Sequence, residues 1–287
     1  MKKLSLMSLA LLAFLVFSSC GTTGGKLIPL GFRAGGMSRA AGGPLTFTIL
    51  RQPDNVPTWT VTLQTARIAL GPFYFNNSPP RTDTFRSGVV VVEATKQVIV
   101  DPLDPAVSEV AGGADGETND SLVCEIGLLP PDAHASASDR QLLSNGSSRC
   151  ANVSPAPADC PFGYVAGTAT MGTTTVPFAG PIAITPNLVT QQTPLVDLQR
   201  VKGAAAPLSF TEQTQAVEMR VDPSHWFDTA NFSALLGGTA VAGIYTWSAG
   251  NCVQGGADFD SARCAFQNAL VAGVQRTSGV YSFAVKP

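Results

Sequence analysis

The 287-residue sequence predicts a mainly β protein, an antiparallel β-sandwich or barrel-like domain with one or two short helices near the C-terminus. Segments such as Thr58-Trp59-Thr60-Val61-Thr62-Leu63 alternate apolar and polar side chains, the period that gives a strand one dry and one wet face. Glycine (28) and proline (21) are frequent, which favours short strands and turns over long helices. Charged residues make up only 13% of the chain against 45% hydrophobic, so it can bury a core and does not read as a disordered acidic chain. A formal net charge of −2 offers no basic field for phosphates, which argues against nucleic acid as a partner.

Along the chain, Met1-Lys2-Lys3 and the apolar run 4–17 form an export signal, residues 1–19, too short to span a bilayer as a helix. Residues 20–44 hold eight of the glycines and no sustained period, and read as a flexible stalk beginning at Cys20. The domain, 45–287, then opens with alternating strands at 45–50, 58–63 and 66–70. Gly71-Pro72 turns the chain, Phe73-Tyr74-Phe75 resumes it, and residues 88–93 and 97–100 give two more strands. Residues 101–120 read as an acidic loop, 122–129 as a strand, and about 130–161 as a long irregular insertion stapled by cysteines. A hairpin at 167–178 follows, then short strands at 181–185, 195–201 and 216–221. Residues 226–236 are expected to hold a short helix. Phe259, Ala262, Phe266, Ala269, Leu270 and Gly273 fall at helical spacing behind a cap at Asp260 or Ser261, and 279–285 closes the domain as a strand.

Of six cysteines, Cys150 with Cys160 and Cys252 with Cys264 are the close pairs, each closing a loop of about ten residues. Cys124 is then a free thiol, although spacing alone leaves open its pairing with Cys150 or Cys160.

Little in the sequence points to catalysis. His225 lies in Asp222-Pro223-Ser224-His225-Trp226-Phe227-Asp228, where an imidazole and two carboxylates make a candidate metal site of His225, Asp222 and Asp228. The other histidine, His134, is in the insertion. No GxSxG elbow presents a nucleophile for a Ser-His-Asp hydrolase. Asp101, Asp104, Glu109, Asp115, Glu117 and Asp120 are the densest oxygen ligands and a candidate calcium loop. Trp59, Trp226, Trp247, Phe73, Tyr74 and Phe75 could line a ligand face, but Trp59 and Trp247 sit inside alternating segments, which favours the core.

Phe17-Ser18-Ser19-Cys20 resembles the bacterial lipobox, departing from it at Phe17, where leucine is usual. The resemblance implies a diacylglyceryl, acylated Cys20 as membrane anchor, and Gly21 in place of aspartate favours the outer membrane. The stretch 59–75 together with 221–228 resembles uncharacterised exported bacterial lipoproteins. The late Trp-Phe segment is similar in layout to periplasmic copper-binding partners of di-haem oxidases, without the histidine-rich stretch of a metal carrier. The sequence therefore predicts a non-enzymatic envelope lipoprotein with the lipid bilayer and an unidentified protein or glycan as partners and no cofactor. The alternative is an exported copper- or calcium-binding protein, and an exported hydrolase ranks behind both.

Overall fold

The computed structural model describes residues 24–37, 43–51, 56–78, 89–144, 147, 150, 160–190 and 192–287; the expected signal peptide and Cys20 lie outside them. The chain forms β1 (Leu27–Gly36), β2 (Leu45–Arg51), β3 (Val56–Leu70), β4 (Phe73–Asn76), β5 (Val90–Ala94), β6 (Val98–Val100), β7 (Val107–Glu109), β8 (Ala114–Glu117) and β9 (Asp120–Gly127). After α1 (Ala137–Leu143) come β10 (Gly163–Met171), β11 (Thr174–Ile182), α2 (Leu195–Leu198), β12 (Arg200–Ser209) and β13 (Ala216–Val221). A 3-10 helix (Pro223–Phe227), α3 (Phe232–Leu236), β14 (Tyr245–Thr246), α4 (Ser261–Val274) and β15 (Tyr281–Lys286) complete the fold.

The strands make two sheets. The larger runs β12-β9-β4-β5-β8-β1-β13-β15, with β7 beside β1, and its two end strands approach each other, so it is nearly closed like a barrel. The smaller runs β14-β11-β10-β3-β2, with β6 on β3. Pairing is antiparallel as expected, except that β1 runs parallel to β13 and β14 parallel to β11. Inside the barrel Phe32 packs on Phe73 (ring centroids 4.5 Å apart), and Phe75 meets Phe210 and Phe283 edge-on. A second aromatic cluster, Phe178, Phe227, Phe232, Trp247 and Phe266, binds the smaller sheet to the helical segments.

Several expectations need correction. The domain does not begin at Leu45: residues 27–36, read as part of a stalk, are β1, an inner strand of the larger sheet. Ile28, Leu30, Phe32 and Ala34 alternate inward, a pattern masked by Gly31, Gly35 and Gly36. The last two are there because backbone crowds them, a Cβ at Gly35 falling 2.4 Å from the Ala106 carbonyl oxygen. The strand expected at 195–201 is instead α2 followed by β12. Pro194 starts the helical turn, and β12 hides its period behind alanines and two register shifts. The acidic loop contains β7 and β8. The insertion holds α1, capped by the Ser136 hydroxyl. The helix placed within 226–236 is a 3-10 turn and a separate five-residue α3.

Both expected disulfides form, Cys150–Cys160 and Cys252–Cys264, and Cys124 is a buried free thiol whose burial pushes its ionisation well above the usual range. Two disulfides suit an oxidising, extracytoplasmic compartment. Among the described residues no helix is long and apolar enough to cross a membrane.

Candidate functional site

The segment after β13 is a 3-10 turn for local reasons. Asp222 caps it, its Oδ1 accepting from the Ser224 N–H at 2.9 Å, and Pro223 occupies the first position, where no amide donor is needed. Trp226 and Phe227 are wholly buried and pin the turn to the core. On its inner side Gly273 of α4 comes so close that a Cβ there would lie 2.2 Å from the Trp226 carbonyl oxygen. The turn thus presents His225 outward from a fixed base.

His225 Nδ1 lies 3.0 Å from Asp228 Oδ2, and since a carboxylate only accepts, Nδ1 carries the hydrogen. In its neutral form the imidazole then keeps its lone pair on Nε2. Arg276 Nη1 donates to the same carboxylate oxygen, so one oxygen orients both side chains. Gly279, at φ +83°, seats the ring: a Cβ there would stand 3.0 Å from Nε2. These groups face a cleft of about 480 Å³ shared with Phe47 and Thr48 of β2, Ser224 and Thr229.

No family model matches this chain, and no curated protein matches it. Among solved structures it is similar to MbnP from Methylosinus trichosporium, at 11% identity and a TM-score of 0.30 over 91% of this chain and 100% of that one. A likeness at that level says nothing of what the chain binds.

Of the expected metal ligands, the structure brings His225 and Asp228 together and turns Asp222 away to its capping role. Among the described residues no three His, Cys, Asp or Glu side chains are grouped to hold a metal ion. One imidazole nitrogen beside a carboxylate already engaged by arginine is a poor fit to a copper coordination set. The calcium loop fits no better: Asp101 pairs with Arg67, Asp104 accepts from the Ala106 amide, and Glu109 pairs with Arg33 at 3.1 Å. Asp115 and Glu117 belong to β8. His134 is exposed in the insertion. Five of the six flagged aromatic residues are in the core, and only Tyr74 turns partly outward.

Arg276 and Gly279 escaped the sequence reading. A positive residue just past the end of the strongest helix and a glycine before a closing strand were the available signals, but neither says that it meets His225.

Proposed function

We propose that this chain is a lipid-anchored protein of the bacterial envelope that acts by binding, without turnover, and that its ligand enters the His225 cleft. The observation that carries the reading is the pre-set trio of His225, Asp228 and Arg276, held by a turn whose other face is locked in the core. Around it stand the hydroxyls of Thr48, Ser224 and Thr229 and the ring of Phe47, a mixture of hydrogen-bonding groups and apolar wall suited to a hydroxyl-rich glycan. Binding is preferred to hydrolysis because, among the described residues, no hydroxyl or thiol hydrogen-bonds His225 Nε2, the contact a Ser-His-Asp mechanism needs. The anchor rests on the lipobox at Cys20, and the outer membrane on Gly21.

The test begins with the intact mass of protein extracted from membranes without reductant or denaturant. Acylated Cys20 with two disulfides is expected, and an unlipidated chain overturns the anchoring. Retention of the protein on purified envelope polysaccharide is then compared with that of His225→Ala and Arg276→Ala. Loss in both variants is expected; equal retention removes the cleft from the function. Stoichiometric copper lost in His225→Ala would replace this reading with metal delivery, and covalent capture by a serine-reactive probe would replace it with hydrolysis.

A further inference from the structure

A second cavity, of about 340 Å³, lies against the larger sheet and shares no residue with the His225 cleft. Pro72, Leu129 and Val196 form apolar wall, and Tyr74, Glu125 and Arg200 bring polar atoms to it. Tyr74 of β4 and Glu125 of β9 sit directly opposite each other in the sheet. Glu125 is only 5% exposed, an unusual place for a carboxylate. Its Oε2 lies 3.4 Å from Arg200 Nη1, a long contact, because Arg200 also gives Nη2 to Asp197 at 2.9 Å. Its Oε1 is buried and, among the described residues, has no hydrogen-bond partner.

A buried carboxylate oxygen without a donor is costly, and the cavity that Glu125 lines is where a donor can be supplied once the carboxylate turns toward it. The surroundings favour a positively charged donor. Glu93 and Glu125 both act on Tyr74, and with burial as the larger cause they hold its phenol neutral beyond the ordinary tyrosine range. Asp197 adds a third carboxylate nearby, shared between Arg200 and Lys202. An aromatic ring flanked by carboxylates attracts an organic cation through its face as well as through charge.

We infer that this cavity is a binding site for a small organic ammonium ion, its N–H donated to Glu125 Oε1 and its apolar body laid against Pro72, Leu129 and Val196. Val196 is 43% exposed at the mouth, so the site opens to solvent without rearrangement of the core.

The test is an NMR titration of the whole protein with hexylamine, with hexanol as the neutral probe of the same shape. Saturable shifts at Tyr74 and Val196 are expected with a Kd on the order of 1 mM for so small a ligand. Hexanol and the Glu125→Gln variant should each weaken binding by about tenfold or more, the loss of a charge-assisted hydrogen bond. Because Glu125→Gln also disturbs Arg200, Val196→Lys serves as a second variant; it places a like charge at an exposed position and should abolish binding in a folded protein. The inference is overturned by hexylamine that fails to saturate, by hexanol binding equally well, or by amine affinity unchanged in Val196→Lys.

Discussion

Replacing Gly273 by alanine tests how the cleft is held. In an open helical position the exchange would stabilise the protein by about 1 kcal/mol, since glycine is a poor helix former. Here the new Cβ would stand 2.2 Å from the Trp226 carbonyl oxygen, 2.6 Å from its carbon and 2.7 Å from Cα, against the 3.4 Å at which ordinary contact begins. All three atoms are backbone, and Trp226 and Phe227 on either side are fully buried, so neither partner can yield locally. Overpacking of this kind costs about 3 kcal/mol at the upper end of the usual range. The net expectation is a loss of about 2 kcal/mol, a fall in melting temperature of roughly 4–8 °C for a chain of this size. The neighbouring Ala272→Gly, on the exposed side of α4, makes the reverse exchange and should also destabilise, by about 1 kcal/mol. Thermal unfolding of both variants reads the stabilities. Because the displaced turn carries His225, the glycine variant alone should also lose ligand at the cleft. A Gly273→Ala protein that melts at or above wild type would refute the idea that α4 seats the turn by close backbone contact.

Removal of the Cys252–Cys264 bridge by a double serine exchange should lower stability by roughly 2–3 kcal/mol in denaturant titration, since its loop spans 12 residues. Cys124 should resist a thiol reagent in the native protein and react with one equivalent after unfolding, because it is fully buried with its ionisation suppressed. Tyr281 donates its hydroxyl to the Val274 carbonyl at 3.0 Å, and burial raises its ionisation far above that of a free tyrosine. A raised folded-state value means its contribution is intact below the unfolded value of about 10 and is lost as pH climbs past it. Tyr281→Phe should therefore cost about 1 kcal/mol at neutral pH and flatten the fall in stability above about pH 10, followed by unfolding across the alkaline range.

The elements that the sequence disclosed were those whose period is carried by large side chains. Trp59, Val61 and Leu63 announce β3, and Phe266 with Leu270 behind Asp260 announces α4. β1 and β12 were hidden because glycine and alanine occupy positions where the sheet is tight, and small residues weaken the contrast on which periodicity depends. The disulfides were legible from spacing. At the cleft, His225 and Asp228 could be paired from their separation of three residues in one turn, but Arg276 and Gly279 arrive from the far end of α4 and the approach to β15. Glu125 carried no signal at all, since an acid in a strand reads as a wet-face residue until its neighbours are placed.

If Cys20 carries the proposed lipid, the strand that replaces the expected stalk sets how far the domain can stand from the bilayer. With Cys20 acylated, a leash to Leu45 would reach about 85 Å when extended, whereas the leash to Leu27 reaches only about 25 Å. With the proposed anchor in place, the rim where β1 begins, with Lys26 paired to Glu212, would be kept beside the headgroups. β1 then climbs ten residues, about 30 Å, in step with its parallel neighbour β13, whose far end at Val221 leads into the turn bearing His225. On the proposed anchoring, β1 would work as a mast, with its foot toward the bilayer and the His225 cleft carried at its other end, where Gly36 pairs with Val221.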